Sequence, residues 1–382
     1  MTKFAIVSQR LLGHLIPALG LGRELKRRGH EVHLLGHPDI RHLAEKEKMT
    51  FHELREDEFP DKKIGQVGRE ILLIHSIYFF ECFVCDSAMS APAYVAEHLN
   101  LPWISFQTTV LLSDEQVPGS IRANDRLRVM YRDQLNEFRR ELGLRLLNGG
   151  YRTRGDLAGA SPYLHLVMTY PQMNVLPDNY SIPGMKFVGP CGVELPLAQQ
   201  EDSESLIPRI LICTTSITDR PKFEEHTRRY LNACLQGLNS KSLKVTISAQ
   251  FRPLDSNETT GNIEYSTDYP LHDAALSNTD LVITHGGCST LQRVMLHGIP
   301  MIVIPLGSDH RILADKVLEF GSGVLMEPQI INEINLWSTV QQVLNNPAYK
   351  QNALRLASRL RESPPANQVA ADAVEQFLEG SS

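Results

Sequence analysis

The sequence predicts an α/β protein with two doubly wound domains. Short apolar runs alternate with segments of helical periodicity in both halves of the chain, which is the pattern of β–α–β units. A stretch over 186–208 that is rich in Pro, Ser and acidic residues separates the halves, and 382 residues suffice for two domains of ordinary size. We therefore expect a first domain over 1–190, a linker over 191–208, a second domain over 209–365 and a closing helix over 366–382 that packs on the first domain.

The start of the chain contains the first β–α–β unit. An apolar run over 3–8 indicates a buried strand, and 15–28 carries apolar residues at helical spacing. The cationic residues in the last turn of this helix complement the negative end of its dipole, and Gly29 ends it. The segment 31–36 resumes as a strand, so the unit implies a parallel sheet with a right-handed crossover.

The same alternation continues to the end of the chain. In doubly wound folds, ligands bind at the carboxyl ends of the parallel strands, and we expect those ends to face a cleft between the two domains. Further strands are predicted over 83–85, 102–106, 164–169, 209–213, 243–248, 281–284 and 301–305. Further helices are predicted over 91–99, 120–147, 222–238, 289–297, 332–344, 349–361 and 366–379.

The helix predicted over 120–147 has apolar residues on one side and many Arg residues on the other. A helix of this kind either packs on its own domain with one face in solvent or lies on a membrane surface. We favour the first interpretation, because a solvated helix of a globular domain is the commoner case.

Composition excludes several classes of function. The formal net charge is −6 and the pI is near 6.2, so the chain lacks the positive field of a nucleic-acid-binding protein. No apolar run reaches the 18 or so residues that a membrane span needs, and the first residues resemble a strand more than a signal peptide. Six cysteines scattered through apolar runs are typical of a reduced, cytoplasmic protein, and we interpret Cys82 and Cys85 as buried strand residues.

The segment 280–323 carries the most informative motif. An apolar strand runs directly into His-Gly-Gly-Cys-Ser-Thr at 285–290, where a helix begins. The two glycines allow a ligand to approach the backbone, and Ser289 and Thr290 offer hydroxyls for capping the helix. The N–H groups and positive dipole of a helix N-terminus bind anions, so this turn fits a pyrophosphate, with His285 as an additional donor.

Three further residues follow strands at the same edges of the predicted sheets. Asp309 comes after the strand predicted over 301–305. His14 lies in the turn after the first strand, and Asp86 ends another strand of the same domain. A carboxylate that orients an imidazole and stabilises its charged form makes His a general base near neutral pH. We therefore expect His14 and Asp86 to deprotonate a hydroxyl, and we expect the other histidines to be surface or core residues.

Motifs of other nucleotide enzymes do not occur. The chain contains no G-x-x-x-x-G-K-[ST] loop, and Gly20-x-Gly22 lies inside a predicted helix without a third glycine in register. It contains no Asp-x-Asp pair and no His-Glu-x-x-His motif, which leaves a metal-dependent mechanism without visible ligands.

These segments resemble the inverting UDP-glycosyltransferases of the GT-B fold, the group that includes bacterial macrolide and other natural-product glycosyltransferases. The resemblance rests on GHLIPALGLGRELKRRGHEVHLLG, FVGP, THGGCSTLQRVMLHGIPMIVIP and SDHRILADKVLEFGSGVLM. It implies two Rossmann-like domains around a central cleft, with the acceptor bound mainly by the first and the sugar nucleotide mainly by the second. His14 matches the catalytic base and Asp86 its charge partner. The implied donor-binding residues are Thr215, Ser216, Tyr269, His272, His285, Gly287, Cys288, Ser289, Thr290, Gln292, Arg293, Asp309 and His310.

Several of these residues depart from the pattern of the group. Arg293 stands where a ribose-binding Glu is usual, so the ribose contact is lost unless Gln292 replaces it. Tyr269 falls near the position of a base-stacking Trp, and Thr215 replaces a Gly. His310 replaces the Gln that helps to hold the sugar hydroxyls together with Asp309. These changes affect the choice of donor more than the type of reaction.

The sequence thus predicts a cytoplasmic, metal-independent glycosyltransferase that moves a hexose from a UDP-sugar or dTDP-sugar to a hydroxyl of a small, largely apolar natural product. No cofactor is expected besides the nucleotide sugar, UDP-glucose or a related donor, and no nucleic-acid partner is expected. The oligomeric state and the identity of the acceptor are not encoded in any motif. Two alternatives stay open: a sugar-nucleotide epimerase or hydrolase, and a catalytically impaired sugar-nucleotide-binding protein.

Overall fold

The computed structural model contains two compact units. The first comprises 1–193 together with 364–382, and the second comprises 194–363. Most of the predicted linker 191–208 lies outside the described residues. The structure describes residues 1–55, 63–116, 121–177, 180–193, 207–214, 221–248, 261–265, 273–307 and 309–381.

The first unit is built on a seven-stranded parallel sheet with the order β3-β2-β1-β4-β5-β6-β7. Its strands are β1 (Lys3–Val7), β2 (Glu31–Gly36), β3 (Thr50–Glu53), β4 (Cys82–Asp86), β5 (Trp103–Gln107), β6 (His165–Val167) and β7 (Met185–Phe187). Its helices are α1 (Leu12–Arg27), α2 (Arg41–Lys46), α3 (Ile64–Tyr78), α4 (Ala91–His98) and α5 (Ile121–Glu141).

The second unit has a six-stranded parallel sheet with the order β10-β9-β8-β11-β12-β13. Its strands are β8 (Arg209–Cys213), β9 (Lys244–Ser248), β10 (Ile263–Tyr265), β11 (Leu281–Thr284), β12 (Met301–Val303) and β13 (Gly323–Leu325). Its helices are α6 (Pro221–Leu238), α7 (Asp273–Leu276), α8 (Cys288–His297), α9 (His310–Glu319), α10 (Glu333–Asn345) and α11 (Pro347–Arg361). The final helix of the chain, α12 (Ala366–Ser381), belongs to the first unit.

These two sheets confirm the predicted α/β fold class with parallel strands. The strands β2, β8 and β11 have the predicted bounds. No element was predicted for α2, β3, α3, β7, β10, α7, α9 and β13. All four missed strands lie at a sheet edge, where they are short and partly exposed, so their apolar runs are weak.

Two apolar cores cover the two faces of the first sheet. On one face α1 and α12 pack on β1, β2 and β4, with Leu15, Leu25 and Val374 fully buried. On the other face α3, α4 and α5 pack on the sheet. Tyr131, Leu135 and Phe138 of α5 belong to this second core, as does Leu142 directly after it, which confirms that the helix packs on its own domain. Among the described helices, none is long and apolar enough to cross a membrane.

The contacts between α1 and α12 are both apolar and ionic. Arg28, at the end of α1, donates from Nη1 to Asp372 and to Glu375 at 2.6 Å each. Burial lowers the pKa of the Arg28 guanidinium, but the hydrogen bonds to Glu24, Asp372 and Glu375 outweigh it and hold the pKa above its usual value. These hydrogen bonds therefore hold α12 against the end of α1, the helix whose first turn contains His14.

The six cysteines are free thiols and all are buried. Cys82 and Cys85 lie in β4, as predicted for strand residues. Burial alone raises the pKa of the Cys82 thiol well above its usual value. A protonated, inaccessible thiol is a poor nucleophile and a poor metal ligand, which supports the structural interpretation of this pair.

A close approach between two backbone segments makes Gly20 essential to α1. A Cβ at Gly20 would lie 2.3 Å from the Gly192 nitrogen and 2.8 Å from Asn367 Oδ1. Gly192 itself has φ +72° and donates its N–H to Asn367 Oδ1 at 2.9 Å. Three separate parts of the chain thus meet at a point that leaves no room for a side chain.

We predict that Gly20→Ala lowers the free energy of unfolding by about 3 kcal/mol, because backbone atoms must move to admit the new methyl group. Gly13→Ala is the matched control in the same helix, since nothing lies within 4 Å of its Cβ position. It should be neutral or stabilising by up to about 1 kcal/mol. Urea denaturation followed by circular dichroism measures both, and equal stabilities for the two variants would contradict the prediction.

Candidate active site

The carboxyl ends of β1 and β4 bring together two residues that are far apart in the sequence. The two strands are paired, with Val7 opposite Cys85. Asp86 is the last residue of β4, and His14 lies in the first turn of α1. His14 Nδ1 is 2.8 Å from Asp86 Oδ2. The structure therefore brings the two predicted residues into direct hydrogen-bond contact.

The surroundings of the pair fix its protonation pattern. The Asp86 side chain is 1% exposed and also accepts hydrogen bonds from the backbone N–H of Ala88 at 3.1 Å and of Gln9 at 3.4 Å. An ionised carboxylate only accepts hydrogen bonds, so His14 Nδ1 carries the proton and Nε2 keeps its lone pair. The His14 side chain is 25% exposed, which leaves the ring accessible to a ligand. Sequence reasoning missed the two backbone donors, although an Asp at a strand end often binds the amide two residues on.

The turn between β11 and α8 holds the predicted anion-binding motif. His285 follows the last residue of β11, and Gly286 has φ +90°, in the left-handed region that favours glycine. Its N–H donates to Thr284 Oγ1 at 3.3 Å. Helix α8 then begins at Cys288 with Gly287 as the N-cap residue. The first N–H groups of α8 have no acceptor within the helix, as at any helix N-terminus, and they suit an anionic ligand.

The predicted capping role of Ser289 and Thr290 is wrong. The helix begins one residue earlier than predicted, because Gly287 adopts the extended N-cap conformation without a side-chain cap. Ser289 and Thr290 therefore lie in the first turn of α8, where both are half-buried. Their position among the first N–H groups of the helix keeps them beside the predicted anion site.

Steric limits in this turn explain both glycines. A Cβ at Gly287 would lie 2.6 Å from His285 Nε2, and a Cβ at Gly286 would lie 2.9 Å from Val303 Cγ1. His285 is 7% exposed and packs edge to face on His310, with the ring centroids 5.0 Å apart. The imidazole of His285 is thus held directly over the N-cap residue of α8.

His310 and Asp309 open helix α9, with Asp309 as the N-cap residue. Strand β12 ends at Val303, two residues before the predicted end, so a short loop precedes Asp309. Burial lowers the pKa of His310, while the Asp309 carboxylate acts in the opposite direction. The lowered pKa favours the neutral form of His310, whose ring packs against His285.

Gln292 and Arg293 are buried in α8. Gln292 is 1% exposed and donates from Nε2 to Cys288 Sγ at 3.5 Å, one turn back along the helix. Arg293 is 2% exposed and is among the largest fully buried side chains. A ribose contact through Gln292 stays a prediction. The predicted donor-binding residues Thr215, Ser216, Tyr269 and His272 lie outside the described residues.

Two other histidines form a buried pair under α3. His33 on β2 and His52 on β3 lie with Nδ1 and Nε2 2.7 Å apart, and His33 Nε2 is 2.7 Å from Glu31 Oε1. Burial and the neighbouring His33 lower the pKa of His52 to about 4. The pair packs against Tyr78 and Phe80, so these are core histidines, as predicted.

A pocket of about 470 Å³ lies at the opposite edge of the second sheet. Pro208, Leu243, Asp280 and Pro300 each precede a strand and line its floor, and Lys350 of α11 lies at its side. None of the site residues described above lines this pocket. The predicted chemistry is at the carboxyl ends of the strands, so the pocket is separate from it.

Two family models match the chain. Residues 12–99 match the N-terminal domain of glycosyltransferase family 28, and residues 240–376 match the C-terminal domain of proteins like erythromycin biosynthesis protein CIII. Together the two models cover more than half of the chain. With the two parallel sheets, they show that the chain belongs to the GT-B glycosyltransferases, in the group that acts in natural-product biosynthesis.

Relatives match over nearly the whole chain. The uncharacterized UDP-glucosyltransferase YojK of Bacillus subtilis is 23% identical, and the match covers 91% of this chain and 91% of YojK. The 4'-demethylrebeccamycin synthase of Lentzea aerocolonigenes is 22% identical, with 96% of each chain covered. Among solved structures, the glycotransferase of kitacinnamycin has a TM-score of 0.75 at 18% identity and covers 99% of this chain and 100% of its own. Spinosyn rhamnosyltransferase SpnG with thymidine diphosphate has a TM-score of 0.70 at 18% identity, with the same coverage.

We predict that Asp86→Ala lowers the free energy of unfolding by about 3 kcal/mol, because it leaves the N–H groups of the buried Gln9 and the partly buried Ala88 without their acceptor. Asp86→Asn keeps an acceptor oxygen and should cost about 1 kcal/mol. Urea denaturation at neutral pH separates the two variants. If Asp86→Ala were as stable as the wild type, the carboxylate would not be organising the ends of β1 and β4.

Proposed function

We propose that the chain is an inverting glycosyltransferase that moves a hexose from a UDP-sugar or dTDP-sugar to a hydroxyl of a small apolar natural product. The observation that carries this proposal is the His14–Asp86 pair at a strand end of a GT-B glycosyltransferase. An accessible imidazole that is hydrogen-bonded through Nδ1 to a buried carboxylate is the arrangement of a general base.

In the proposed reaction, His14 acts on the acceptor bound by the first unit. Nε2 takes the proton of the acceptor hydroxyl while the oxygen attacks the anomeric carbon of the donor sugar. The bond between that carbon and the diphosphate oxygen breaks, and the nucleoside diphosphate leaves with the electron pair. Asp86 stabilises the resulting imidazolium, because its carboxylate lies 2.8 Å from Nδ1 and is shielded from water. Attack from the face opposite the leaving group inverts the anomeric configuration.

The second unit would stabilise the charge that develops on the diphosphate. The N–H groups in the first turn of α8 and the imidazole of His285 are the donors for this charge, and they need no metal ion. One preorganised donor of this kind is typically worth about 3 kcal/mol of barrier. Asp309 and His310, at the start of α9, would bind the hydroxyls of the sugar.

The names of the relatives support both nucleotides and a natural-product acceptor. YojK is named a UDP-glucosyltransferase, whereas SpnG has been solved with thymidine diphosphate and with spinosyn aglycone. We therefore propose that a pyrimidine nucleotide sugar is the donor and that no further cofactor takes part.

We predict that His14→Ala lowers kcat about 10²- to 10⁴-fold, because the acceptor hydroxyl loses its base. The dissociation constant of UDP or dTDP should not change, since the proposed donor residues lie in the second unit. His42→Ala is the control, because His42 is an exposed histidine of the same unit. Turnover with a panel of sugar nucleotides and phenolic or macrolide acceptors measures kcat, and calorimetry measures binding.

Full activity of His14→Ala would contradict the assignment of the base. Release of the nucleoside diphosphate by the wild type without any acceptor would instead favour a hydrolase or an epimerase. Binding of a nucleotide sugar with no product across the whole acceptor panel would indicate a catalytically impaired binding protein.

We further predict that Gly287→Ala weakens the binding of UDP at least tenfold. The new methyl group would lie 2.6 Å from His285 Nε2 and would displace the imidazole from the N-terminus of α8. Gly261→Ala is the matched control, because nothing lies within 4 Å of its Cβ position. Calorimetric titration of both variants measures the effect, and unchanged affinity in Gly287→Ala would contradict the proposed diphosphate site.

A further inference from the structure

The second half of α3 exposes four large apolar side chains. Leu73 is 65% exposed, Ile77 is 61% exposed and Tyr78 is 37% exposed, and Phe79, directly after the helix, is 70% exposed. We call these four residues the α3 patch. Their exposed area is about 500 Å², near the upper end for the largest apolar patch of a monomer and more than half of what one partner contributes to a standard interface. A patch of this size indicates a surface that another molecule covers.

The backbone at Phe79 is strained and holds its ring in solvent. Phe79 is the C-cap residue of α3, with φ +54° and ψ +64°, in the left-handed region. Glycine commonly ends a helix in this conformation, because a side chain is disfavoured there. The next residue, Phe80, is buried in the core. The single chain therefore carries strain at Phe79 without burying its ring, and a molecule that covers the ring accounts for the residue at this position.

Charged residues of opposite sign flank the patch at equal spacing. Arg69 lies one turn before Leu73 on the same face of α3. Glu81 follows the helix, four positions after Ile77. Arg69 Nη1 donates to Glu141 Oε2 at 2.7 Å, and Glu81 Oε2 accepts one backbone N–H at 2.7 Å. A guanidinium has five N–H donors and a carboxylate has two oxygens, so both groups have the capacity for a further partner.

We propose that the α3 patch is a dimer interface, in which the α3 helices of two copies of this chain pack antiparallel about a twofold axis. The axis lies midway between Leu73 and Ile77, so that Leu73 of one copy packs on Ile77 of the other. Arg69 of each copy then faces Glu81 of the other, since each lies four positions outside the central pair. A twofold interface requires such self-complementarity. The patch precedes β4, whose opposite end carries Asp86, so the interface is separate from the candidate active site.

A second copy fits this surface better than a lipid bilayer does. Helices that lie on anionic membranes carry Lys and Arg residues beside their apolar face. The charges beside the α3 patch are of both signs, because Glu70 is next to Arg69 and Arg69 is itself paired with Glu141. A rim that carries both signs is complementary to a copy of itself.

The first test is sedimentation equilibrium of the full chain and of Leu73→Ser, Ile77→Ser and Phe79→Gly. The wild type should form dimers, and each variant should raise the dimer dissociation constant about tenfold or more, because it removes an apolar contact from the interface. The melting temperature of the dilute, monomeric variants should not fall, and Phe79→Gly should raise it by relieving the backbone strain. Ile334→Ser is the matched control, since Ile334 lies on α10 of the second unit and is 75% exposed. It should leave the dissociation constant unchanged.

The second test exchanges the charges at the two ends of the patch. Arg69→Glu alone and Glu81→Arg alone should each weaken the dimer about three- to tenfold, because like charges then face one another at both ends. An equimolar mixture of the two variants should form a heterodimer as tightly as the wild type dimerises, since opposite charges face one another again. Recovery in the mixture identifies a contact between two copies, because a fault within either chain would persist there.

A wild type that stays monomeric would overturn the proposal, and so would a dimer that Leu73→Ser and Ile77→Ser leave intact or that Ile334→Ser dissociates. Binding of a monomeric wild type to vesicles of phosphatidylcholine and phosphatidylglycerol, lost in Leu73→Ser, would assign the patch to a bilayer instead. A mixture of the two charge variants that dimerises no better than either alone would overturn the antiparallel arrangement.

Discussion

The hydrogen bond between His14 and Asp86 is the interaction on which the proposed chemistry depends. It joins residues that are 72 positions apart in the sequence, and the parallel pairing of β1 with β4 brings them together. A buried carboxylate is costly unless donors surround it, and here one imidazole and two backbone N–H groups do so. The carboxylate that these donors stabilise also fixes the His14 tautomer, so stability and the proposed function rest on one arrangement.

The proposed anion site of the second unit consists mainly of backbone groups. An anion site made of helix N–H groups needs the chain to turn sharply and needs room beside the turn, which Gly286 and Gly287 supply. Side chains then refine the site, because His285 and His310 lie edge to face and burial keeps His310 toward its neutral form. A site that depends mainly on backbone geometry tolerates changes in the side chains around it.

Sequence reasoning predicted the centre of each sheet better than its edges. The strands β8 and β11 are buried except for Arg209 and have continuous apolar runs, and their bounds were correct. The edge strand β3 is half exposed, and the helix α3 carries apolar residues such as Leu73 and Ile77 on its solvent side. The apolar residues of these two elements therefore do not recur at the regular spacing that identifies a strand or a helix. The pairing of His14 with Asp86 followed from the rule on strand ends, whereas the cap at Gly287 did not, because glycine competes with Ser and Thr at that position.

Arg293 shows what the departures from the group mean for the donor. A guanidinium offers only donors, so it cannot replace the carboxylate that the resemblance places at this position for the ribose. Arg293 is also almost fully buried, and burial of a charged side chain requires that its hydrogen bonds be made inside the protein. The burial of Arg293 therefore favours a structural role for this position. Under the proposed function, a ribose contact then comes from another group, and Gln292 on the same helix is the predicted one.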